Sequence, residues 1–298
     1  MNKTQWHGII PPLVTPLKDN DTLDIEALER LVNHVITGGV HGIFLLGTTG
    51  EGPSLSRELK YRLVEEACRI VNHRVPLLAG ITDTSFTESI ALANHAALHG
   101  ADAVVAAPPY YMPPSQPELL DYIKHLAPKL PLPLFLYNMP AMTKVNIDVD
   151  TVKRAADIPN VIGIKDSSCS MIYVHELIDA MKNRDFPVLI GPEEMLGESV
   201  LLGAQGGVNG GANILPALYV SMYHAAESGD APRMRKLQAD IMRLREIYRV
   251  GHYASSGIKG IKCALSIMGI CGDYMAEPFQ HFYEPERERV AQILAALR

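Results

Sequence analysis

Two hydrophobic patterns alternate along the chain. Short, nearly continuous apolar runs occupy positions 8–14, 42–46, 76–81, 103–107, 133–137, 161–164, 187–190 and 206–209. Between them lie longer stretches of helical period, such as 24–36, 54–71, 85–98, 116–126 and 148–156, with Ser, Asp or Gly at plausible ends. A run that is apolar at consecutive positions is buried on both faces. Strands of that kind belong to a parallel sheet, whose crossover helices cover it. Eight such units close into a (β/α)8 TIM barrel. The rival, an open doubly wound sheet, needs a Gly-x-Gly-x-x-Gly turn after the first strand, and none follows it. After a helix at 217–227, further helical stretches at 231–250, 258–268 and 284–297 exceed what the barrel needs. The pattern therefore predicts a barrel catalytic domain over 1–228 and a C-terminal helical appendage over 229–298, with no fold of its own.

Composition adds exclusions. The 298 residues are 47% hydrophobic and 20% charged, as in a soluble globular protein, and the net charge of −6 argues against a nucleic-acid surface. Cys68, Cys169, Cys263 and Cys271 contain no C-x-x-C pair and read as reduced thiols of a cytoplasmic protein. The N-terminal Met1-Asn2-Lys3-Thr4-Gln5-Trp6-His7 lacks an apolar signal core, and no segment keeps about 20 apolar residues unbroken. No membrane partner is expected.

In such a barrel the chemistry collects at the C-terminal ends of the strands. Five segments fall there: Gly47-Thr48-Thr49-Gly50-Glu51-Gly52, Pro108-Pro109-Tyr110-Tyr111, Tyr137-Asn138-Met139-Pro140, Lys165, and Gly206-Gly207-Val208-Asn209-Gly210-Gly211. Lys165 ends the apolar run Val161-Ile162-Gly163-Ile164. A buried ammonium without a partner is unfavourable, so this lysine either pairs with Asp166, reaches water, or gives up its proton and becomes a nucleophile suited to Schiff-base chemistry. The Gly-Thr-Thr-Gly-Glu turn offers N–H groups and two hydroxyls to a small carboxylate; equally, it is a capped turn with Ser54 as N-cap and Glu58 near the helix start. Tyr137 is either a proton shuttle or a packing residue with a wet tip. The strand-eight glycines allow close approach of backbone or ligand, since no Lys or Arg follows them to hold a phosphate.

The combination Gly47-Thr48-Thr49-Gly50-Glu51, Tyr110-Tyr111, Tyr137-Asn138-x-Pro140 and Gly163-Ile164-Lys165-Asp166, in this order and spacing, resembles the dihydrodipicolinate synthase and N-acetylneuraminate lyase family across essentially the whole chain. The resemblance implies a class I aldolase on a (β/α)8 barrel. Lys165 would form an imine with pyruvate or a 2-keto acid, and Thr48 and Thr49 would hold its carboxylate. Tyr137 would be the acid/base, positioned through the Thr48 hydroxyl. Tyr111 would complete the relay, in the family's synthases from the neighbouring subunit, and the Val208 carbonyl would line the imine pocket. It also implies a homotetramer built as a dimer of dimers. A protonated imine is its own electron sink, so neither metal nor organic cofactor is needed.

The family's synthases place an arginine two residues past the motif proline to bind the carboxylate of aspartate semialdehyde. Here that residue is Met142. Without a bidentate donor the second carboxylate loses its partner. Sugar-acid lyases resemble this chain better there, and Glu193-Glu194 resembles the acidic pair that binds hydroxyls in sialic-acid lyases. Two acids at a helix N-terminus also satisfy the macrodipole. The segment 47–56 looks like that of 2-keto-3-deoxy-sugar-acid aldolases. The favoured expectation is a lyase releasing pyruvate and an aldehyde from a hydroxylated 2-keto acid. The alternatives are a condensing synthase, a keto-acid dehydratase, and a keto-acid-binding regulator without turnover. A metal-dependent aldolase would have to use His95 and His99 at i, i+4, but their alanine-rich amphipathic helix favours a structural role for both, and no His-Glu-x-x-His pattern supports a metal.

Overall fold

The computed structural model describes residues 6–297; Met1 to Gln5 of the N-terminal stretch and Arg298 at the end of the appendage lie outside the described residues. Strands β1 (Gly8–Ile9), β2 (Ile43–Leu45), β3 (Leu77–Gly80), β4 (Ala103–Ala106), β5 (Leu134–Asn138), β6 (Val161–Asp166), β7 (Val188–Ile190) and β8 (Gly206–Gly207) pair in parallel in the order β1-β8-β7-β6-β5-β4-β3-β2. A parallel bridge between Pro12 and Phe44 closes the circle, with the Leu13 N–H donating to the Phe44 carbonyl at 2.9 Å. The fold is the expected (β/α)8 barrel with C-terminal helices.

Two strands, β1 and β8, fall proportionally furthest short of their apolar runs. Pro11 and Pro12 bring no N–H to the ladder, so β1 stops at Ile9 and the run continues as irregular backbone. β8 is two glycines because β1 crowds it: a Cβ on Gly206 would fall 2.0 Å from the Gly8 carbonyl oxygen. The freedom expected of the strand-eight glycines is used here for strand-to-strand approach.

The barrel helices are α1 (Ile25–Thr37), α2 (Arg57–Val71), α3 (Phe86–His99), α4 (Gln116–Leu126), α5 (Pro140–Thr143), α6 (Val149–Ala155), α7 (Met171–Met181), α8 (Leu196–Leu201) and α9 (Pro216–Glu227); α10 (Ala231–Arg245), α11 (Ser256–Ile267) and α12 (Glu286–Ala295) follow. Side-chain caps fix several starts. Asp24 accepts from the Ala27 N–H and Ser56 from the Leu59 N–H. Ser56, not Ser54, is therefore the cap of α2; Ser54 belongs to a short 3-10 turn, Gly52–Ser54, that Pro53 initiates.

Alternation along the strands sorts the core into two layers. One, between sheet and helices, includes Ile43, Leu45, Leu134, Leu136 and Ile164. The other fills the barrel and includes Trp6, Ile10, Phe44, Leu78, Phe135 and Leu189. Gly163 makes room for it: a Cβ there would sit 2.4 Å from the Phe135 ring. The Trp6 and Phe135 rings meet edge to face at 5.4 Å. The interior is thus plugged by side chains, and a site can open only at the strands' C-terminal ends.

Candidate active site

Strand alternation decides where Lys165 points. Gly163 faces the barrel interior, so Lys165, two residues on, faces the same way, while Ile164 and Asp166 face the helices. Lys165 is the penultimate residue of β6, one position inside the strand rather than at its end, and is 6% exposed. Its Nζ rests 4.0 Å from the centre of the Tyr137 ring and 5.0 Å from that of Phe44. Asp166 is engaged on the other side of the sheet, accepting from Asn138 Nδ2 and Ser168 Oγ, both at 2.8 Å. Burial raises the Asp166 carboxyl above the usual range, and those hydrogen bonds oppose the shift. No carboxylate among the described residues comes within ion-pair distance of Lys165. Neither surface exposure nor pairing with Asp166 accounts for this amine; aromatic faces supply the electron density around it.

Tyr137 is the register partner of Lys165 on β5. It is buried, and its hydroxyl lies 3.3 Å from Thr48 Oγ1. The turn carrying Thr48 is closed by the Glu51 N–H donating to the Thr48 carbonyl and the Gly52 N–H donating to Gly47. The N–H groups of Thr48 and Thr49 donate to no atom of the described residues, and both side chains remain half-exposed. Glu51 ends the turn at φ +58°, its carboxylate buried and accepting from the Ala276 N–H. The turn thus joins free donors to hydroxyls beside a buried amine, which suits a small 2-keto carboxylate.

A cavity of about 290 Å³ brings together Lys165, Thr48, Thr49, Tyr137, Val208 and Glu194. A second of similar volume shares Thr48, Tyr137 and Met142 with it and runs toward Phe44, Tyr110 and Phe279. The mouth therefore has a polar lobe toward β7 and an apolar lobe toward β2 to β4. Met142 lines both, so the position where synthases of the resembled family carry arginine does face the site.

Both members of the expected acidic pair line the first cavity, and Glu193 is the more deeply held. It is 4% exposed, and both carboxylate oxygens are occupied: Oε1 accepts from the Gly211 N–H and the Tyr248 hydroxyl, each at 2.5 Å, and Oε2 accepts from the Tyr219 hydroxyl. Burial pushes its carboxyl upward and the three donors oppose this. Burial likewise drives both phenols well above their ordinary range, with the Glu193 charge adding. Glu194 is half-buried and accepts from Arg245 at 3.0 and 2.8 Å through both oxygens. Tyr248, Arg245, Ala254 and Ile258 come from the appendage, which therefore walls the site. No local signal marks them in the sequence: Arg245 is one of several cations along a basic helix, and nothing near Tyr248 sets it apart.

Tyr111 lies apart from the group. It is 93% exposed at φ +77°, and Tyr110 beside it turns into the apolar lobe. His95 and His99 sit on α3 facing α2, His95 against the Tyr61 ring and carbonyl, away from the barrel mouth.

Comparisons with known proteins agree with this fold. Residues 5–297 match the Dihydrodipicolinate synthetase family. The dihydrodipicolinate synthase of Bacteroides thetaiotaomicron superposes with a TM-score of 0.96 at 54% identity, over 99% of this chain and 100% of that one. YagE of Escherichia coli K12, described as a prophage protein of the dihydrodipicolinic acid synthase family and solved with pyruvate, superposes at 0.93 and 30% identity over 99% of each chain. The probable 2-dehydro-3-deoxy-D-pentonate aldolase YjhH of the same organism is 33% identical over 98% of this chain and 97% of its own. The chain is a member of the dihydrodipicolinate synthetase family, and with it a pyruvate-dependent class I aldolase of the lyase type.

Proposed function

We propose that the protein cleaves a hydroxylated 2-keto acid, of the 2-keto-3-deoxy-sugar-acid or N-acetylneuraminate kind, to pyruvate and an aldehyde through a Schiff base on Lys165. The observation that carries this is the buried Lys165 amine, without a carboxylate partner, beside the hydrogen-bonded Thr48–Tyr137 pair. Thr48 and Thr49 bind the keto acid's carboxylate through hydroxyls and N–H groups. The Lys165 nitrogen adds to the C2 ketone, water leaves, and a protonated imine forms over the Tyr137 and Phe44 faces, which stabilise its charge. Tyr137 takes the proton of the C4 hydroxyl through the Thr48 link; the C3–C4 pair flows into the imine, and the aldehyde departs. Protonation of the enamine at C3 and hydrolysis return pyruvate and the free amine. The Val208 carbonyl borders the imine, and Glu194, held by Arg245, accepts the substrate's distal hydroxyls. Glu193 acts beneath them as a support.

In this reading Tyr111 serves a neighbouring copy within a homotetramer, which its exposure supports. Free cysteines suit the cytoplasm, and no helix among the described residues is long and apolar enough to cross a membrane. Residues 1–228 act as the catalytic barrel and 229–298 as the wall of its mouth. A condensing synthase is the second reading, favoured by the name of the Bacteroides structure; Met142 at the mouth speaks against it.

Pyruvate with borohydride should fix an adduct on Lys165, with none in a Lys165→Ala variant. An unmodified wild type overturns the mechanism. A panel of 2-keto-3-deoxy acids, N-acetylneuraminate and aspartate semialdehyde, assayed for pyruvate release or consumption, then separates lyase from synthase.

A further inference from the structure

A second lysine, Lys262 on α11, is more deeply buried than Lys165, at 0% exposure. It takes no part in the chemistry above. Its Nζ forms an ion pair with Glu51 Oε1 and donates to the Tyr274 carbonyl at 2.6 Å, while Glu51 Oε2 accepts from the Ala276 N–H at 2.9 Å. Glu51 is the last residue of the turn that presents Thr48 and Thr49. We infer that Lys262 is a positioning residue for keto-acid binding, holding the threonine turn in register with Lys165 through Glu51. This deepens the function proposed above and rests on it.

The turn has few other anchors. Thr15 Oγ1 donates to the Gly50 carbonyl at 2.7 Å, and the turn's own backbone bonds run between residues 47 and 52. Glu51 adopts a left-handed backbone, held by its N–H to the Thr48 carbonyl, by the Ser54 N–H to its own carbonyl, and by what its side chain reaches. What it reaches is the appendage, more than 200 residues later in sequence. Burial pulls the Lys262 ammonium below its ordinary range and the Glu51 charge opposes this, so removing either partner strands the other in an apolar setting. The nearest relief is a shift of the turn toward water.

The test measures half-saturating pyruvate by borohydride trapping in Lys262→Met, Glu51→Gln and the double variant, well below their melting temperatures. Each single change should raise half-saturation roughly tenfold, about 1.4 kcal/mol of binding, with full trapping retained at saturation. The double variant should be no worse than the poorer single, since no charge is left stranded. Should Lys262→Met fail to fold, the shape-conserving Glu51→Gln carries the same measurement from the turn's side. Half-saturation within twofold of wild type, with only a lower melting temperature, overturns the inference and leaves the pair a structural fastener. A wild type that traps no pyruvate defeats the parent reading instead.

Discussion

Glu193→Gln separates a supporting carboxylate from a substrate ligand. Removing the side chain altogether, as in Glu193→Ala, orphans the Gly211 N–H and the hydroxyls of Tyr219 and Tyr248. At about 1–3 kcal/mol for each buried donor left unmade, the loss reaches several kcal/mol and rivals a typical total stability of about 5–15 kcal/mol. The alanine variant should therefore fail to accumulate as folded protein. Glutamine keeps the shape and one acceptor oxygen but turns an amide toward a hydroxyl that formerly donated. One hydrogen bond is lost, while relief of a buried charge offsets part of the cost, leaving a net destabilisation of about 1–2 kcal/mol. For a chain of this size that lowers Tm by roughly 2–6 °C. Calorimetry at neutral pH reads the shift, and borohydride trapping of pyruvate should stay at the wild-type level. A glutamine variant that melts like wild type while its KM for a hydroxylated keto acid rises severalfold would return Glu193 to the substrate and refute the reasoning.

Cysteine labelling gives a second check: Cys169 is exposed and lines the cavity, whereas burial pushes the Cys68 and Cys271 thiols up to about 12 and Cys263 to about 11. Burial, with the Glu194 and Asp166 charges adding, raises the Cys169 thiol too, so a native sample at pH 8 should react at Cys169 alone and more slowly than a free thiol, and a bound keto acid should slow it further; labelling of other sites contradicts the packing. Asp166 bears on pH. Its folded carboxyl is raised above its unfolded value, so the folded state holds the extra proton between the two, and this contribution to stability is complete below the unfolded pKa and lost as pH rises through the folded one. Urea midpoints of Asp166→Asn should vary less with pH across that window than those of wild type; parallel profiles would show that Asp166 does not contribute.

Much of the barrel was legible because burial on both faces leaves an unbroken apolar run, and eight such runs stand out against amphipathic helices. Lys165 was legible for the same reason, as a lone charge in one of those runs. The ends of the elements were not. A serine two residues too early passed for the α2 cap, because Ser54 and Ser56 have identical chemistry and only the Pro53 turn separates their roles. The hydrogen bonds that hold Glu193 were not legible, because its partners, Tyr219 and Tyr248, lie 26 and 55 residues away, and long-range satisfaction leaves no local trace. The appendage's share of the mouth was hidden likewise: Ala254 and Ile258 are ordinary helix-end residues until α11 docks.

The Phe44 ring beside Lys165 has a stereochemical consequence. In the proposed mechanism an enamine on Lys165 has one face turned to the Phe44 ring, so a proton reaches its C3 from the other face alone. Cleavage in deuterated water of a substrate carrying tritium stereospecifically at C3 should then release pyruvate whose methyl group has a single handedness, because the shielded face is closed to the incoming deuteron.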